Sequence, residues 1–269
     1  IQRRLPLFFE RLRTGDFEDV SYDDCNKGVI LQKAIRGGFP QVLPYSARQR
    51  NYWFDAYVDA IAKKDLMAIG DFRKPESLLA LLKLCAANSS RSINLSQAAS
   101  VMEVTRKTMY EYLAALQTMF LIERLPLWQP RVAEQIGADS NLVGVEETDA
   151  LTLPEDKAKS DLVGNLIETW VYQQLVPLTD LGREWSLFHF RNRQGKEIDF
   201  ILENRKGDMI CFEVKASEGI KSDSFKNLRW FREQFGKGRH MKTIVLYTGY
   251  QVCRYSDDEF ALPMACLWQ

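Results

Sequence analysis

Only two histidines, His189 and His240, occur among the 269 residues of the chain. That scarcity argues against a histidine-rich metal centre and a Ser-His-Asp triad. The five cysteines, Cys25, Cys85, Cys211, Cys253 and Cys266, are far apart and form no C-x-x-C pair. They fit reduced core residues rather than a disulfide framework or a zinc site. No G-x-x-x-x-G-K-[ST] loop occurs, so these residues lack the glycine-rich cradle of backbone N–H groups that holds nucleotide phosphates. No apolar run approaches the roughly 20 residues needed to cross a bilayer. No signal-peptide pattern opens the chain either, so the expected setting is the cytoplasm, with no membrane partner. A net charge of one sign is also missing: 36 basic residues balance 36 acidic ones. That balance argues against nucleic-acid binding by bulk electrostatics.

What is present begins with two strand-like runs, KEIDFILE and MICFEVKA, separated by Asn204-Arg205-Lys206-Gly207-Asp208. Two β-rich runs joined by a glycine-containing turn predict an antiparallel hairpin. Side chains alternate along a strand, so Glu213 and Lys215 share one face while Ile210, Phe212 and Val214 take the other. Asp199, Glu213 and the Val214 carbonyl offer hard oxygen ligands suited to Mg²⁺ or Mn²⁺. Such an ion stabilises charge on a scissile phosphate and acidifies a bound water, with Lys215 placed to orient that water. Upstream, residues 162–176 are apolar nearly all round, with a narrow polar stripe through Asn165, Glu168, Thr169 and Tyr172 at helical spacing. A mostly buried helix with one carboxylate points Glu168 toward a site. The bland alternative is a solvated Glu213–Lys215 edge pair with Glu168 on a helix surface.

The ordered set of Glu168, Asp199 and Glu213-Val214-Lys215 resembles the PD-(D/E)XK, restriction-endonuclease-like nuclease core. The whole chain resembles the C-terminal portion of prokaryotic AAA-type ATPases that end in a nuclease-like domain of unknown function. The segments that carry the likeness are Gly37-Gly38-Phe39-Pro40, Tyr57 with Lys64-Asp65, Phe120-Leu121-Ile122, Gly164 with Glu168 and Phe190-Arg191. Gly195 through Phe200 and Glu213-Val214-Lys215 complete it, over roughly residues 28–235. An Asp-x-Gly-Leu element of that family is only approximated, by Asp139-Ser140-Asn141-Leu142. The resemblance implies an ATPase half upstream of Ile1, with ATP bound there, and a homo-oligomer as one possible assembly.

Two further stretches bear on DNA. Residues 221–242 carry seven lysines and arginines against Asp223 and Glu233. Phe225, Leu228, Phe231 and Phe235 fall at helical spacing and face a core, leaving Lys226, Arg229 and Glu233 outward. Lys226 and Arg229 are candidate phosphate contacts; the alternative is a solvated amphipathic face. In the middle, helices are expected over 77–87, 95–101 and from Arg106 to about Met119. Thr105 caps the last of these, with Tyr110, Leu113 and Leu116 buried. A wing strand over 120–125 follows. This order resembles a winged helix-turn-helix, with Arg106 and Lys107 as candidate DNA contacts.

The expected architecture is α+β and multidomain. An all-α region at 1–70 contains a helix over 25–36 ended by Gly37-Gly38, and an aromatic-rich helix over 50–69. By resemblance this region is the lid of the ATPase. A winged-helix-like domain at 71–135 and an acidic linker at 136–161 follow. Last comes an α/β restriction-endonuclease-like domain with a mixed sheet at 162–269. Three functions compete: a metal-dependent nuclease acting on DNA, a non-catalytic DNA- or protein-binding module of the same fold, and a protein-interaction scaffold.

Overall fold

The computed structural model describes residues 5–14, 16–17, 26–61, 75–130, 141–144, 157–180, 184–221 and 223–268. In chain order the helices are α1 (Leu5–Thr14), α2 (Lys27–Arg36), α3 (Ala47–Ala60), α4 (Pro75–Ala87), α5 (Leu95–Val101), α6 (Arg106–Thr118), α7 (Lys157–Asp180) and α8 (Lys226–Phe235). The strands are β1 (Arg91–Ser92), β2 (Ile122–Leu125), β3 (Asn141–Gly144), β4 (Trp185–Arg191), β5 (Glu197–Asn204), β6 (Met209–Lys215), β7 (Met241–Tyr247), β8 (Cys253–Ser256) and β9 (Glu259–Pro263). Two compact units divide the chain. One comprises Gln32–Arg124 and Asn141–Leu166; the other comprises Ile1–Leu31, Leu125–Ser140 and Ile167–Gln269.

The first unit is mainly helical, and local chemistry sets its helix ends. Gly37, at φ 75°, donates its N–H to the Lys33 carbonyl, the left-handed stop that ends α2. Ser46 and Gln49 form a reciprocal capping box at the start of α3. The side chains of Asn94 and Thr105 accept from the N–H groups of Gln97 and Thr108, capping α5 and α6. Apolar spacing then buries Leu78, Leu81, Cys85, Met109, Tyr112, Leu113, Leu116 and Ile122 in one core. Tyr110 is exposed rather than buried, because the inward stripe of α6 runs through Met109, Tyr112, Leu113 and Leu116. Phe120, left-handed at φ 57°, is 87% exposed, and β2 starts only at Ile122. A three-stranded sheet in the order β1-β3-β2 lies in this region. Strand β3 falls within the stretch expected to be linker, and α7 already begins at Lys157. Of the sequence expectations, Lys64, Asp65, Asp139 and Ser140, and the acidic stretch 145–156, lie outside the described residues.

The second unit is built on a six-stranded mixed sheet in the order β4-β5-β6-β7-β9-β8. The expected hairpin is present. β5 and β6 pair antiparallel from Phe200↔Phe212 to Glu203↔Met209. Asn204 builds the turn: its side-chain oxygen accepts from Lys206 and Asp208, and Gly207 sits at φ 91°. β6, β7 and β9 run parallel, and β8 closes the far edge antiparallel to β9. Helix α8 covers one face, with Phe225, Leu228 and Phe231 packed among Cys211, Val245, Tyr247 and Ala261. On α7, Tyr172 packs against Phe200 and Trp170 against Trp268. Trp128 is buried with Phe190, Phe231 and Phe235, and its Nε1 donates to Glu203.

Candidate active site

The candidate site lies where the β5–β6 ladder stops. Between β4 and β5, Phe188 faces Ile201 but Phe190 faces Ile198. The extra residue in β5 is a bulge that sets Asp199 and Phe200 opposite His189, and bulges re-aim side chains in this way. In place of the next ladder bond, Asp199 Oδ2 accepts the Val214 N–H at 2.7 Å. One strand over, Lys215 Nζ donates to Glu213 Oε1 at 2.7 Å. Glu213 is 8% exposed, and its Oε2 has no hydrogen-bond partner among the described residues. A buried carboxylate oxygen left in that state is costly in a protein made only of its own atoms. Glu168, half-buried on α7, acts by its charge on both Asp199 and Lys215. The structure thus brings Glu168, Asp199, Glu213 and Lys215 together.

Electrostatics follow from three carboxylates around one ammonium. Burial, then the Glu213 and Glu168 charges, push the Asp199 carboxyl well above the usual range, against the pull of the Val214 N–H and Lys215. Burial likewise raises Glu213, with Glu197 adding to the rise and Lys215 opposing it. For Lys215, burial disfavours the charge, but its bond to Glu213 and the charges of Asp199 and Glu168 outweigh that and raise it. The carboxylate side of the site is therefore under-compensated, the state a divalent cation relieves. Among the described residues no group of three or more His, Cys, Asp or Glu side chains is placed to hold a metal ion. The residues that would hold an ion such as Mg²⁺ here are Asp199 and Glu213, with a backbone carbonyl and waters as the remaining oxygen donors.

The candidate DNA contacts are placed differently from one another. Lys226 is exposed at the first turn of α8. Arg229 is committed: its guanidinium grips Glu259 through Nε and Nη2, with a closest contact of 2.5 Å. Sequence reasoning missed this partner because Glu259 lies thirty residues on, beyond any helical periodicity. On α6, Arg106 lies over the Tyr110 ring, and Lys107 is 3.9 Å from Glu111 in an exposed pair. Neither is buried, and such a pair contributes little to stability. No described helix is long and apolar enough to cross a membrane.

Two family models match, each over less than half of the chain. Residues 163–267 match a domain of unknown function, DUF4143, and residues 30–140 match a second, DUF8612. No curated protein matches the sequence. Among solved structures, one from Vibrio cholerae is 12% identical, covering 86% of this chain and 55% of that one at a TM-score of 0.31. A second is a half-complex from a tetradecameric assembly of Thermococcus gammatolerans McrB AAA+ hexamers with bound McrC. It is 10% identical, covering 68% of this chain and 46% of that one at a TM-score of 0.29. The chain spans about half the length of these structures, and at such scores neither likeness bears on its fold or function.

Proposed function

We propose that the sheet unit is a metal-dependent nuclease module of the restriction-endonuclease-like type that hydrolyses DNA phosphodiesters. The observation that carries this reading is Glu213: buried, held by Lys215 at one oxygen and without a partner at the other among the described residues, beside the bulged Asp199. Asp199 and Glu213 are the residues that would hold Mg²⁺ or Mn²⁺. Bound there, the ion supplies positive charge for the scissile phosphate and an acidified water. Lys215 orients that water and offsets charge developing on phosphate oxygens. Glu168 tunes the site by its charge on Asp199 and Lys215.

The middle of the chain fits the same reading. The order α4-β1-α5-α6-β2-β3, with β3 between β1 and β2, is compatible with a winged helix that presents Arg106 and Lys107 to DNA. DUF4143 is a domain found in AAA-ATPase-associated proteins, consistent with an ATPase partner half that binds ATP and drives any oligomer, in the cytoplasm. A second reading, a non-catalytic DNA- or protein-binding module, draws on the lack of a three-carboxylate chelate among the described residues. Cleavage of a labelled DNA in Mg²⁺ or Mn²⁺, wild type beside Asp199→Ala, separates the two. The nuclease reading expects metal-dependent cleavage that the substitution abolishes while the protein stays folded. Equal cleavage by both proteins sinks it.

A further inference from the structure

Strand directions gather one set of segments at a single edge of the sheet. β5 begins, and β4, β6, β7 and β9 end, on the edge that carries Asp199 and Lys215. The turn 192–196, the segments 216–221 and 223–225 and the turn 248–252 therefore border the site. On these segments and the first turn of α8 stand Arg193, Lys196, Lys221 and Lys226, none paired with a carboxylate among the described residues; Glu218 and Asp223 are interspersed. By contrast Arg229 and Arg239, elsewhere in the unit, are spent on the buried Glu259 and Glu203.

The turn after β7 adds an aromatic ring. Lys215 pairs in register with Tyr247, and Tyr250 follows three residues on, within about 11 Å of extended chain. The turn is tightly held. Tyr247 donates its hydroxyl to the Gln251 carbonyl at 2.5 Å and accepts the Gln251 N–H at 3.1 Å. Thr248 N–H donates to the Ser217 carbonyl, and a Cβ on Gly249 would collide with the Tyr247 ring and the Glu218 carbonyl oxygen. On this fixed turn Tyr250 is 57% exposed. Tight turns are dominated by Gly, Pro, Asn, Asp and Ser rather than by large aromatic residues.

Resting on the nuclease reading above, we infer that Tyr250 is a stacking platform for an unpaired base and that Lys221 and Lys226 hold the adjoining phosphates, so the substrate of the site is single-stranded nucleic acid. Cations that track a backbone beside an aromatic ring on which bases stack are the recurrent solution for single strands. In a duplex the base faces are already stacked and offer the ring nothing.

The test is fluorescence anisotropy of a labelled oligothymidylate and of a labelled duplex, with Ca²⁺ as the metal to suppress cleavage. Tyr250→Ala weakens oligothymidylate binding about tenfold and duplex binding less than about twofold, while Tyr250→Phe stays within about twofold of wild type. Lys221→Ala flattens the salt dependence of oligothymidylate binding by about 0.7 in the log–log slope. Lys206→Ala, on the opposite edge, leaves it unchanged. Equal weakening of both probes by Tyr250→Ala, or no weakening, overturns the inference, as does a wild type that binds neither probe. The nuclease reading stands or falls separately, on whether Asp199→Ala abolishes metal-dependent cleavage.

Discussion

The helical unit and the sheet unit treat charge in opposite ways. In the helical unit the described core is made of Leu78, Leu81, Cys85, Met109, Leu113 and Leu116, and α6 keeps Arg106, Lys107 and Glu111 in water. Burial alone pushes the Cys85 thiol up to about 12, the mark of an inert apolar interior. The sheet unit buries Glu203, Glu213 and Glu259. Two of these are closed off: Glu203 by Arg239 and the Trp128 N–H, Glu259 by Arg229 with Arg232 at 4.0 Å. Glu213 alone of the three keeps an oxygen with no hydrogen-bond partner among the described residues. Buried carboxylates that serve the fold are satisfied from within; one that awaits a ligand is not.

That contrast breaks most visibly at Asp199. If the sheet unit is the proposed nuclease, Asp199→Ala should lower metal-dependent cleavage about a thousandfold, roughly 4 kcal/mol of transition-state stabilisation, with an unaltered circular dichroism spectrum. Turnover on a labelled oligonucleotide measures it, and a loss under tenfold contradicts the role. Leu113→Ala, in the apolar core of the helical unit, costs about 3 kcal/mol in denaturant unfolding and leaves the chemistry of the other unit alone. Glu259→Ala strips Arg229 and Arg232 of their buried partner. Because Arg229 is half in water, the cost is about 2 kcal/mol rather than that of a fully buried pair, again read in denaturant. Catalysis as damaged as stability there would erase the distinction between the two kinds of buried carboxylate.

The smallest effect has the opposite sign. Asp199 and Glu213 both ionise less readily when folded than when unfolded. In metal-free buffer, therefore, stability is lost as pH rises from the ordinary carboxylate range through their raised folded values. Lys215, raised in the folded state, contributes stability below its ordinary value that fades only as pH climbs past its raised one. Asp199→Asn keeps an acceptor for the Val214 N–H and removes one charge. Melting near neutral pH should show it stabilised by about 1 kcal/mol, with a flatter dependence on acid. A destabilised variant would mean that the site is not under-compensated.

Much of this was legible in the sequence where the signal is local. Period-two alternation and the Asn204–Asp208 turn gave the hairpin, Thr105 gave the start of α6, and Gly37 gave the stop after α2. The approach of Glu168, Asp199, Glu213 and Lys215 was legible too, because helix and strand periodicities fix which side chains can share a site. What escaped depends on distant partners. The bulge at Asp199–Phe200 exists only relative to β4, β3 is a strand only because β1 and β2 flank it, and Arg229 is spoken for only once β9 brings Glu259 beside α8. Tyr110 was misplaced for a simpler reason: one residue of error in phase turns a helical side chain by about a quarter turn.

The nuclease reading requires that Asp199 and Glu213 form a site completed by a divalent cation. Calorimetric titration of Mn²⁺ into the purified chain, wild type beside Asp199→Ala, tests it most directly. Saturable binding is expected in wild type, with proton release from the raised carboxyls, and loss of both in the variant. Binding of equal strength in the two proteins, or none in wild type even with single-stranded DNA present, would contradict it.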